Sequence, residues 1–201
     1  MRELIKKYEW AEDPGLDLAM TVAVVAGATS DRVIGVYGGD PARPVGSLTF
    51  DEALVPEPDF GKYFQIQVLE RDRHVVVLEN NGWSGSVPEI ARRASAGGGR
   101  FFGVYWSFNA IHLLSQAIDG KMTAYLELMT GCPSYDVHEL VPPWMHGVGV
   151  TVEALRATCL AYLEQQTGVA FDRTWLDQKL PTYRVPDPDV MLANVANARR
   201  P

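Results

Sequence analysis

Two cysteines among 201 residues exclude a disulfide framework as the source of stability. They are Cys132 and Cys159, with no CxxC pair and no Cys/His spacing of a zinc site. Runs of positive charge are missing too. The densest basic pairs are Arg92-Arg93 and Arg199-Arg200, in a chain of net charge −7. An acidic surface repels phosphate backbones, which disfavours nucleic acid as a partner. The longest apolar stretch, Met20 to Ala28, is far short of the roughly 20 residues that cross a bilayer. Met1 to Lys7 lacks the apolar run of a signal peptide. A cytoplasmic, reduced protein with no membrane partner is therefore expected. GxGxxG, P-loop, GxSxG and HExxH motifs are absent. Gly97-Gly98-Gly99 follows a helical pattern, so it reads as a stop and not as a phosphate cradle. No cofactor and no metal are expected.

What is present is the composition of a folded domain: 47% apolar and 21% charged residues. The length fits one domain, expected over residues 1–186, with a C-terminal tail over 187–201. Leu16 to Val24 alternates apolar and small or polar residues, the period of a strand with one buried face. Thr29 or Ser30 offers an N-cap for a short helix through Tyr37. Pro41, Pro44, Pro56 and Pro58 mark a loop with a short edge strand near Ser47 to Phe50. Lys62 to Leu69 and His74 to Glu79 are β runs joined by a short polar link, hence a hairpin. Ser86-Val87-Pro88-Glu89 matches a capping box, and a helix with Ser86 as N-cap is expected to follow. Phe101 to Phe108 is an aromatic strand. Asp119-Gly120 then joins two more β runs as a second hairpin.

Thr151 opens a long helix with the stripe Val152, Leu155, Cys159, Tyr162 and Leu163, closed by Gly168. On that stripe Cys159 is a core residue. The stretch from Pro181 onward, with Pro186 and Pro188, is expected to lie as an extended arm. Hairpins interrupted by helices predict an α+β fold: an antiparallel or mixed sheet with helices packed mainly on one face.

Candidate sites are few. Glu79, Asn80, Asn81 and Trp83 lie between a strand and a helix N-terminus, where free N–H groups and rigid supports favour binding. Asn80, Asn81 and Gly82 serve equally as turn formers, with Gly82 free to take a positive φ. Trp106 shares a face with Phe108 by alternation and is either core or the lining of a cleft. Trp144, after Pro142-Pro143, is a plug over the core or an interface anchor. Cys132, Asp136, His138 and His146 share one loop. Cys132 with His138 or His146 is the sole candidate nucleophile–base pair, at a spacing that matches no known signature.

Four segments carry a resemblance: Tyr8-Glu9-Trp10-Ala11, Gly39-Asp40-Pro41, Glu79-Asn80-Asn81-Gly82-Trp83 and Pro181-Thr182-Tyr183-Arg184. Together they resemble an uncharacterised actinobacterial domain-of-unknown-function family over most of the chain. The resemblance implies a single domain and brings no activity, cofactor or catalytic residue. The expected function is therefore a non-enzymatic binding or protein-interaction domain, immunity-like or regulatory, with a protein partner. The alternative is a small-molecule-binding enzyme, such as a hydrolase working through the Cys132 loop.

Overall fold

The computed structural model describes residues 1–129, 140–145 and 152–201. Among them are the strands β1 (Ala19–Ala26), β2 (Gly46–Leu48), β3 (Phe64–Arg71), β4 (His74–Asn80), β5 (Arg100–Ser107), β6 (His112–Ile118), β7 (Lys121–Glu127) and β8 (Leu180–Val185). The helices are α1 (Arg2–Lys7), α2 (Ser30–Val36), α3 (Pro88–Ser95), α4 (Leu155–Thr167) and α5 (Pro188–Met191). All eight strands form one sheet in the order β2-β8-β3-β4-β1-β5-β6-β7, and every pairing is antiparallel. The α+β expectation holds. The two predicted hairpins share this sheet, but β1 is inserted between them, paired to β4 on one side and β5 on the other.

The turn chemistry explains the register. Asp119 and Gly120 both take positive φ, +47° and +75°, the conformation that a two-residue hairpin with native twist requires. Asp72 at φ +52° closes the β3–β4 hairpin. Thr29 caps α2, its side chain accepting from the Arg32 N–H. Gly168 ends α4 in the left-handed region, as its position after the apolar stripe predicts.

Helices cover both faces of the sheet, where one was expected to carry most of them. β1 shows why. Met20, Val22 and Val24 pack towards α4, while Ala23 and Val25 pack towards α2 and α3. Small and polar residues at alternate positions looked like an exposed face, yet the strand is buried on both sides. Ala and Thr are the side chains that let helices approach a central strand closely, so their smallness reflects packing and not exposure. α4 is likewise buried nearly all round from Leu155 to Leu163, between the sheet and the N-terminal segment with α1. Cys159 is fully buried there, as its stripe position predicts.

Two further expectations are corrected. The capping box does not form. Ser86 belongs to a 3-10 turn, Ser84–Ser86, and its hydroxyl donates to the Trp83 carbonyl. Val87 stands at the N-cap without a side-chain bond, and Glu89 turns along the helix to Arg92 and Arg93. Pro88 at the first turn has no N–H to cap, so the usual reward for an N-cap hydroxyl is reduced. The expected C-terminal arm is β8, seated between β2 and β3. Residues beyond it return over the α3 face. The Ala198 carbonyl accepts the Glu89 N–H, and Arg92 donates to the Asn197 and Arg200 carbonyls.

Candidate functional site

The predicted segment is built around a buried carboxylate. By strand alternation Glu79 lies on the same face as Val77, under α2 and α3, and it is fully buried. Its Oε1 accepts the Gly85 N–H at 2.7 Å and its Oε2 the Ser84 N–H at 2.9 Å. Burial pushes its pKa up to about 7, with the two amide bonds working in the opposite direction. In register across three central strands stand Glu79, Thr21 and Tyr105. The Thr21 hydroxyl donates to the Gly82 carbonyl at 2.7 Å. Tyr37 points its hydroxyl at the same turn. That oxygen has no hydrogen-bond partner among the described residues, and burial, then the charge of Glu79, raises its pKa.

The glycines of the segment serve this carboxylate. A Cβ on Gly82 would stand 2.6 Å from Glu79 Oε2, and one on Gly85 would stand 2.8 Å from the Tyr37 hydroxyl. The positive φ expected at Gly82 falls on Asn81 instead, at +56°. Asn80 donates its side-chain amide to the Phe50 carbonyl at 2.9 Å. Trp83 is half-buried, edge-on to Phe64 with ring centroids 6.4 Å apart, and the Arg199 guanidinium lies over it. Glu79 through Trp83 is thus a pinned turn: the backbone engages its carboxylate and the Asn80 side chain, and the Asn81 N–H donates to the Ala19 carbonyl.

The other two tryptophans lie on the opposite face. Trp106 is buried and donates its indole N–H to the Leu16 carbonyl at 2.9 Å. Phe108 does not share its surroundings: β5 ends at Ser107, and Phe108 is 70% exposed. Trp144 is half-buried against Phe102 and Tyr162, as a plug over the core would be. The six predicted residues are therefore not one site. Cys132, Asp136, His138 and His146 lie outside the described residues. Cys159 is walled in and its thiol is pushed up by burial, far from a reactive thiolate.

The structure assembles another site that the sequence left scattered. A cleft of about 540 Å³ is lined by three separate segments: Lys7, Tyr8 and Trp10 at and after the end of α1, Arg71 and Asp72 where β3 enters its turn, and residues 168–175 after α4. Its floor is a chain of rings. Centroids run 6.4 Å from Tyr8 to Trp10, 5.8 Å from Trp10 to Phe171 and 5.1 Å from Phe171 to Trp175. The Tyr8 hydroxyl donates to Glu164 and accepts the Phe171 N–H at 3.0 Å, locking α1 to the loop after α4. Burial and then Glu164 raise the pKa of this phenol, so it stays a donor.

Cations sit over the rings: Arg71 is 5.4 Å from the Trp175 centroid, Arg173 is 5.3 Å from Trp10 and Lys7 is 5.1 Å from Tyr8. Lys7 is tied to Glu164 at 2.7 Å. Arg173 meets Asp13 at 3.3 Å in an exposed pair of little worth. Arg71 forms no salt bridge among the described residues. Asp172, its acidic neighbour, accepts the hydroxyl and N–H of Thr174. Trp175 is buried, and its indole N–H has no acceptor among the described residues. Of these residues only Tyr8 and Trp10 fall in a segment that sequence reading had singled out.

The described residues form an antiparallel α+β fold covered on both faces, with an aromatic cleft rimmed by cations. The chain belongs to a family of unknown function, DUF6461, whose model matches residues 1–179. The match ends immediately before β8. No curated protein and no solved structure matches the chain. Among the described residues no helix is long and apolar enough to cross a membrane.

Proposed function

We propose that the chain is a non-enzymatic protein-interaction domain that anchors its partner in the aromatic cleft. The observation that carries this reading is the convergence of Tyr8, Trp10, Trp175, Arg71 and Arg173 on one cavity from three distant segments. Trp and Arg are among the residues that dominate binding energy at interfaces, and here Trp10, Arg71 and Arg173 are accessible above the buried Tyr8 and Trp175. A cavity of about 540 Å³ accommodates an anchor of one or two side chains. The rings are already fixed by mutual packing and by the Tyr8 bonds, so little conformational entropy is lost on binding. An immunity-like or regulatory role in the cytoplasm suits such a surface. On the resemblance above, the same proposal places the family in actinobacteria, with Glu79-Asn80-Asn81-Gly82-Trp83 as its mark.

Site-directed photocrosslinking tests the assignment. A photoreactive residue at the exposed rim position Asp72 is compared with one at Asp31, exposed on α2. The expected result is a discrete crosslinked partner from Asp72, lost when Trp10→Ala is added, and none from Asp31. Equal crosslinking at both positions, or crosslinks from Asp72 that survive Trp10→Ala, would overturn the reading.

A further inference from the structure

The cleft combines a chain of edge-on and tilted rings with two guanidinium groups set over them. Arg71 lies over Trp175 and Arg173 over Trp10, on either side of the same cavity. A guanidinium set over a ring still presents a fork of N–H donors that can meet a carboxylate through two parallel bonds, which a lysine at the same place could not offer. Arg71 has no salt bridge among the described residues to compete for that fork, and the Asp13 pair of Arg173 is exposed and exchangeable. In a chain of net charge −7, positive charge beside an aromatic floor is a local exception, and the acidic group that Arg71 acts on is its exposed neighbour Asp172. Asp72 and Asp172 also line the cleft, and Asp172 is already engaged by Thr174. Those carboxylates disfavour a densely charged polyanion, so a single carboxylate fits better than a phosphate cluster.

We propose that the partner's anchor is a carboxylate side chain next to an aromatic ring, an acidic–aromatic pair in one peptide segment. Arg71, with Arg173, receives the carboxylate, while the ring packs on Trp10. This rests on the reading of the cleft as the interaction site and adds the chemistry that the site selects.

The test uses three probes against the full chain, read by tryptophan fluorescence and ligand-observed NMR. They are the capped peptide acetyl-Glu-Phe-amide, its acetyl-Gln-Phe-amide counterpart and free phenylacetate. The expected result is binding of the Glu peptide, at least about tenfold weaker binding of the Gln peptide, and a similar loss in Arg71→Ala. Arg71→Lys should recover only part of it, and added salt should weaken it. Arg71 is exposed at a hairpin turn, so its replacement leaves the fold intact, checked by an unchanged melting temperature. If the Gln peptide binds as well as the Glu peptide, the carboxylate inference falls while the cleft stands as a site. If phenylacetate binds and neither peptide does, the carboxylate site stands and the protein-interaction reading falls. If no probe binds, or if Arg71→Ala binds all of them as before, the inference is overturned.

Discussion

Glu79 gives a stability effect whose sign and size follow from its surroundings. Its carboxyl moves from an ordinary 4.5 to about 7 on folding, because burial without a counter-cation outweighs the bonds from Ser84 and Gly85. The folded protein holds this proton more tightly than the unfolded chain does. Its stabilising contribution is therefore complete below about pH 4.5 and is lost as pH rises through about 7. At about 1.4 kcal/mol per tenfold change in proton affinity, the loss is about 3 kcal/mol. Burial lowers His112, which acts in the opposite sense: its contribution is present above about 6.5 and fades as pH falls below that. Glu52, Glu164 and Asp172 are lowered and act only in the acid range.

The Glu79 effect is thus isolated by comparison with Glu79→Gln. The amide keeps one acceptor for the turn and sets its NH₂ against the other N–H, a cost of about 1–3 kcal/mol that does not vary with pH. Urea unfolding from about pH 5 to 8 reads both proteins. The expected outcome is a wild-type advantage that shrinks by about 2–3 kcal/mol across this range. Parallel profiles would refute the claim that Glu79 is buried without charge compensation.

Two more outcomes follow from the packing. Trp83→Ala should cost about 2 kcal/mol, less than the loss for a fully buried aromatic, since the ring is half-buried on Phe64 under Arg199; chemical denaturation measures it, and partner crosslinking from Asp72 should persist. Cys159 should resist alkylation in the native protein and react as a free thiol once unfolded, as mass measurement with and without denaturant would show.

Local signals in the sequence carried far. Asp119-Gly120, the Thr29 cap and the Gly168 stop each fix their own turn, and the structure has them in place. What escaped was non-local. Pro181 and Pro186 read as an arm, yet Pro181 sits opposite Ser47 in a strand whose outer neighbour, β2, is only three residues long. A missing N–H is tolerated so near an edge. The capping box failed because the Ser84–Ser86 turn is held by a carboxylate from β4, which no pattern around Ser86 reveals. Six-residue α1 carries too few positions for a periodic signal. The cleft was least legible, since Tyr8 and Trp175 come from opposite ends of the chain, with strands β1 to β7 between them in sequence.

The protein carries five tryptophans, each with one indole N–H resonance, and they divide by location. Trp10 and Trp175 line the cleft, while Trp83 is on the α3 face and Trp106 and Trp144 pack in the opposite core. Titrating nitrogen-15-labelled protein with the crosslinked partner, or with acetyl-Glu-Phe-amide, reads all five at once. The account predicts that the Trp10 and Trp175 signals shift together while Trp83, Trp106 and Trp144 stay still. Shifts at Trp83 or Trp144, with Trp10 and Trp175 unmoved, would contradict it.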